Sequence, residues 1–124
     1  IRSQITQALD ELTSRGVNVI ITTAPNIGPG TTGDARAARG LPDDHPQRVQ
    51  VYNQILRSIA ADRSAVSVID YGTYIDGFSR DQSAEWLPDG IHPTDEAARR
   101  IWLEYLGPAL RSTIRETWPA LYDS

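Results

Sequence analysis

Asp89 and His92 stand three residues apart in the segment Leu87-Pro88-Asp89-Gly90-Ile91-His92-Pro93-Thr94. A carboxylate and an imidazole at this spacing, in a turn that contains glycine, let the Asp oxygen reach the histidine Nδ1–H within one loop. The other ring nitrogen is then free to take a proton from a nucleophile. This is the orienter and base of a serine triad, in which the acid fixes the tautomer and stabilises the imidazolium formed during acyl transfer. An Asp-x-x-His tetrapeptide also describes a plain surface turn ahead of a capped helix, and short motifs recur by chance. Its place in the chain carries more weight: it follows the last predicted strand, in a loop that opens at the carboxyl end of a parallel sheet, where α/β folds bind ligands.

Other residues admit both a chemical and a structural role. Trp86 lies just ahead of the acid–base loop and is a candidate substrate-binding residue lining an acyl pocket, or the anchor of that loop. Asn26 follows the first strand near the same mouth, as a substrate contact or, more simply, a turn former. His45, in Asp43-Asp44-His45-Pro46, fits a solvated cluster at a helix start better than a metal site, because adjacent residues rarely converge on one ion. Asp70 ends a strand at the expected active edge, as a second carboxylate or, more simply, the cap of the following turn, while Asp76 and Asp81 are expected on a loop surface. No metal site and no organic cofactor are expected. Trp102, Tyr105 and Trp118 fall on apolar helical faces and are predicted core.

The elements that must position these residues follow from periodicity. Ile1, Ile5, Ala8, Leu9 and Leu12 share a helical face, with Gly16 placed for a left-handed cap, which predicts a helix over 2–15. The β-branched run Val17–Thr23 predicts a strand buried on both faces of a parallel sheet. From Pro25 to His45 the chain is rich in Gly, Pro, Asp and Thr, a loop of about 20 residues, longer than compact domains carry without a use. It is a candidate wall of the active site. Pro46 then opens a helix to Ala61 on Val49, Tyr52, Ile55, Leu56 and Ile59, and 66–70 is a second strand. An irregular stretch is predicted from Tyr71 to Pro93. Thr94 caps a helix with Asp95 and Glu96 in its first turn, predicted to end at Gly107-Pro108, and a last helical segment carries Leu110, Ile114 and Trp118.

Helix, strand, helix, strand is the grammar of a parallel α/β sheet. Two strands with three or four helices leave apolar edges without partners, and the chain starts at Ile1 on an amphipathic helix. Residues 1–124 are therefore expected to be the C-terminal portion of a single α/β domain whose N-terminal strands lie elsewhere. The 124 residues carry 12 basic and 16 acidic side chains and no cysteine. That balance argues against a nucleic-acid partner, which needs clustered positive charge, and the missing thiols exclude disulfides and cysteine nucleophiles. All 12 basic residues are Arg, a mark of coding bias. No apolar run is long enough for a membrane segment, and no leader is visible, which leaves localisation open.

The succession Val17–Thr23, a long loop, Tyr52-Asn53 with Ile55, Leu56 and Ile59, then Val66–Asp70, then Asp89-Gly90-Ile91-His92-Pro93 before a final helix resembles the second half of the SGNH/GDSL hydrolase family over nearly the whole chain. The resemblance implies a flavodoxin-like three-layer fold. It implies Asp89 and His92 as acid and base of an esterase or O-acyltransferase, without a cofactor, acting on a small-molecule or carbohydrate ester, with a secreted or cell-envelope location among the options. The family's Gly-Asp-Ser nucleophile block and its oxyanion-hole blocks are absent here. None of the serines sits in such a context: Ser3, Ser14, Ser58 and Ser112 are placed on helices, Ser64 at a helix end, Ser67 in a strand, Ser79 and Ser83 in a loop, and Ser124 is terminal. The missing N-terminal half of the same domain is thus the implied partner, and the 124 residues alone are expected to be inactive. The alternative is a non-catalytic α/β binding or accessory module in which Asp89 and His92 are structural. A metal-dependent phosphoesterase would need more ligands than two isolated histidines supply.

Overall fold

The computed structural model describes residues 1–26 and 46–123. They form a mixed helix and strand fold around a two-stranded parallel sheet, the coarse class that the order of elements predicts. Helix α1 (Arg2–Ser14) closes with Gly16 at φ 77°. The Gly16 N–H donates to the Thr13 carbonyl at 3.0 Å and the Val17 N–H to that of Leu12 at 3.2 Å, the paired bonds of a Schellman cap. Because the cap uses the Val17 N–H, strand β1 starts later than its composition suggests and spans Val19–Thr22.

Helix α2 (Pro46–Ala61) returns the chain to strand β2 (Val66–Ile69). The strands pair in register from Val19 opposite Val66 to Thr22 opposite Ile69. Side chains alternate across a sheet, so Val19, Ile21, Val66 and Val68 share one face. Leu9 of α1 and Ile55, Ile59 and Ala60 of α2 pack against it. Ile59 is 2 % exposed, and a side chain of that size contributes about 1.5–3 kcal/mol when fully buried.

The stretch predicted as irregular holds two short helices, α3 (Tyr71–Asp76) and α4 (Arg80–Trp86). Ser79 stays in the connection as the N-cap of α4, its hydroxyl accepting from the Gln82 N–H at 3.2 Å, whereas Ser83 lies on that helix and not in a loop. Their apolar faces meet helix α5 (Asp95–Ile101) in a second core of Ile75, Trp86, Leu87, Ala97 and Ile101, with Tyr71, Tyr74, Phe78 and Leu106 around it. Packing, rather than propensity, makes these segments helical.

Helix α5 does not stop at Gly107-Pro108. It widens into a π-helical turn, Trp102–Leu106, in which the Gly107 N–H bonds the Trp102 carbonyl five residues back, and runs on as helix α6 (Gly107–Thr117) with Pro108 in its first turn. The ladder has already shifted by one residue there, so a proline without an N–H is accommodated. The same register turns Trp102 outward at 52 % exposure, against its expected place in the core. Tyr105 stacks on Tyr74 with ring centroids 4.0 Å apart, and Trp118 donates its Nε1–H to the Ser64 carbonyl at 3.0 Å. Helix α7 (Pro119–Tyr122) follows. Among the described residues no helix is long and apolar enough to cross a membrane.

Candidate active site

The acid–base loop is built on Trp86. Its ring is 6 % exposed, packs edge-on against Phe78 at 5.2 Å and carries the Arg100 guanidinium 4.7 Å above its face. Leu87 is buried beside it. From this fixed point the chain turns: the Gly90 N–H bonds the Leu87 carbonyl at 2.6 Å, and Gly90 takes φ 73°, a left-handed conformation that glycine adopts without steric cost. The Thr94 N–H returns to the Trp86 carbonyl at 2.9 Å, so the loop closes on its own starting residue. Thr94 then caps α5, its hydroxyl accepting from the Ala97 N–H at 3.2 Å, ahead of Asp95 and Glu96.

Inside the loop, both oxygens of Asp89 are committed. Oδ1 accepts from the backbone N–H groups of Ile91 at 2.9 Å and His92 at 2.7 Å, and Oδ2 lies 2.7 Å from His92 Nδ1. The His92 ring N–H, and then the two backbone N–H groups, hold the Asp89 carboxyl well below the usual carboxylate range, because each favours the ionised form. An ionised carboxylate only accepts, so the proton between them sits on Nδ1, and in the neutral form of the ring Nε2 carries the lone pair. The His92 side chain is 78 % exposed and that of Asp89 27 %. Among the described residues the His92 ring bonds only to Asp89. The pair has the geometry of an oriented general base with an open approach.

A second polar cluster fixes the chain as it leaves β1. Thr23 is 1 % exposed; its hydroxyl donates to Asp70 Oδ1 at 2.8 Å and accepts from the Gly72 N–H at 2.9 Å. The Asn53 side chain clasps the Ala24 peptide from α2, accepting from its N–H at 2.9 Å and donating to its carbonyl at 2.8 Å. Asp76, at the end of α3, accepts from the Asn26 N–H and from Asn26 Nδ2, both at 2.8 Å.

This arrangement revises three expectations. Asp70 stands at the N-cap position of α3 but makes no capping bond with its side chain; it joins Thr23 and the Arg57 guanidinium, 2.9 Å away. Partial burial pulls its carboxyl upward, yet the bonds from Thr23 and Arg57 outweigh that and leave it below the ordinary value. Asp76 is a helix-end residue holding Asn26, and Asp81 belongs to the first turn of α4; neither is in a surface loop. The Asn26 Nδ2 group is committed to Asp76, and its Oδ1 is buried with no partner among the described residues. Trp86 is the anchor of the acid–base loop, packed in the second core.

Asn53 carried a legible signal, since it falls at helical spacing between Val49 and Leu56, a polar residue on an apolar face. Asn26 and Asp76 are 50 residues apart and no periodicity links them. His45 and the loop to that residue from position 27 lie outside the described residues. Among the described residues no three His, Asp or Glu side chains cluster as metal ligands would. Comparison with protein families, curated proteins and solved structures finds no match to this chain.

Proposed function

We propose that Asp89 and His92 are the acid and base of a serine-type acyl transfer, within a larger flavodoxin-like three-layer domain of the SGNH/GDSL kind. The observation that supports this most is the 2.7 Å contact between His92 Nδ1 and Asp89 Oδ2, with the ring otherwise open to solvent. A serine Oγ attacks the ester carbonyl carbon while its proton passes to His92 Nε2. The C–O bond to the leaving alcohol then breaks, and the alcohol takes that proton. Water or a second hydroxyl reverses the sequence, so hydrolysis and transfer differ only in the acceptor. Asp89 balances the imidazolium in each half.

The serine and the oxyanion donors belong to sequence outside this chain. Compatible with that, β1 and β2 each have one edge without a strand partner among the described residues, and Val19, Ile20 and Ile21 are only half-buried. The ester is a small molecule or a carbohydrate. The test is hydrolysis of a short-chain nitrophenyl ester by the full-length protein. A positioned base contributes roughly 10²–10⁴-fold, so His92→Ala should slow turnover by that order with the fold intact. Unchanged turnover would instead favour a non-catalytic module, in which Asp89 serves only to bond the turn's own N–H groups.

A further inference from the structure

We infer that Asp76 is a positioning residue, whose clasp on Asn26 fixes the chain leaving β1 against the Asp89–His92 turn, with α3 as the rigid link. The inference rests on the acyl-transfer function proposed above. Helix α3 is only six residues long, Tyr71–Asp76, yet touches both the turn after β1 and the core beneath the acid–base loop. Near its start, Gly72 meets the turn after β1 so closely that an added Cβ would lie 2.3 Å from the Ala24 carbonyl oxygen. At its end, the Asp76 carboxylate takes two hydrogen bonds from Asn26, one from the backbone and one from the side chain. Between them, Ile75 is buried in the same cluster as Trp86 and Leu87, the residues on which the acid–base loop closes.

The clasp is also costly to hold without a purpose in positioning. The Asn26 Oδ1 has no partner among the described residues although it is buried, and an unmade buried hydrogen bond ordinarily destabilises a fold. The amide keeps that orientation because reversing it would set Oδ1 against the Asp76 carboxylate. Asn26 therefore leaves β1 in one direction. The segment from Thr23 to Asn26 and the turn that carries His92 are held to a common frame through a single short helix.

The experiment is an exchange of the two side chains in the full-length protein. N26D puts two carboxylates face to face and breaks the side-chain half of the clasp, whereas in D76N the Asn26 amide turns over, its Oδ1 accepting from the amide now at position 76, so both bonds persist. In N26D/D76N the amide now at position 76 donates to the carboxylate at position 26 and still accepts from the backbone N–H, which restores both bonds and the net charge. A small misplacement of reacting groups can cost roughly 10²-fold, so N26D should lose about tenfold or more in kcat for a nitrophenyl ester, with little change in KM, while D76N should keep the wild-type rate. The double variant should recover. The His92 ring-proton shifts, assigned against His45→Ala, give a readout that needs no activity. They should move in N26D, stay at the wild-type position in D76N and return in the double. Shifts that move in opposite senses in N26D and D76N, following the added or removed charge, or that stay at the wild-type position in N26D, would overturn the inference. So would a double variant that fails to recover. If the shifts behave as expected while His92→Ala leaves turnover intact, the positioning link stands and the acyl-transfer function falls.

Discussion

The Thr94 N–H donates to the Trp86 carbonyl at 2.9 Å, so the residue that opens the acid–base loop also receives its end. Everything between them is shaped locally: Leu87 buried, Gly90 left-handed, Asp89 bonded to the two N–H groups that follow it. The imidazole is oriented by a carboxylate that is itself held at both oxygens.

Asp89→Asn should separate the two jobs of that side chain. One Asn oxygen can serve the His92 ring or the backbone N–H groups of Ile91 and His92, and the amide NH₂ opposes whichever it faces. Ester turnover in the full-length protein should fall, by less than in His92→Ala, and the His92 ring resonance should broaden or shift. An Asn variant with wild-type turnover would show that the carboxylate does not orient the base.

Titration of Asp89 should show a midpoint well below that of an ordinary aspartate, since the shift in the folded state is downward. The sign follows from linkage: a depressed carboxyl stabilises the fold above its unfolded value near 3.9, and that contribution is lost as pH falls through the lower folded value. In His92→Ala the midpoint should rise, because the first cause of the depression is gone. Carbonyl NMR shifts of Asp89 across the acid range measure both.

Gly72→Ala should destabilise the fold strongly, because the new methyl would sit 2.3 Å from the Ala24 oxygen, a backbone atom that cannot swing aside. Overpacking of this kind costs about 1–3 kcal/mol or more. By contrast, Gly16→Ala meets nothing within 4 Å and suffers only from its φ of 77°, about 1–2 kcal/mol. Thermal or denaturant unfolding should rank Gly72→Ala as the more damaging.

Thr23→Val keeps the shape of a fully buried side chain and removes a hydroxyl that both donates to Asp70 and accepts from Gly72. Leaving the buried Gly72 N–H unpaired costs about 1–3 kcal/mol. The Asp70 midpoint should rise at the same time, since the Thr23 bond is one of the groups that lower it. A Val variant as stable as wild type would mean that the hydroxyl bridge is incidental.

What the sequence made legible is what depends on near neighbours. The caps at Gly16 and Thr94, the strand cores of Val19–Thr22 and Val66–Ile69 and the helix from Pro46 are written in local spacing and turn chemistry, and so is the Asp89–His92 pair. The helices α3 and α4 were missed because Tyr71, Tyr74, Phe78 and Trp86 are helical only through burial against α5, although Ser79 and Gln82 carried a capping signal. The passage of the helix through Gly107-Pro108 was hidden because proline normally ends a helix, and nothing local announces a π turn. The Thr23–Asp70 and Asn26–Asp76 contacts join residues 47 and 50 positions apart; only the folded chain brings them together.

Asp89 and His92 arise from one turn, so their mutual alignment is set over three residues of backbone and is indifferent to drift in the rest of the molecule. Changes elsewhere can lower the amount of folded protein, or swing the pair as a unit relative to the hydroxyl it would activate, but leave carboxylate and imidazole matched to each other. A lineage could therefore re-aim this one loop on its Trp86 footing without having to reinvent the pairing.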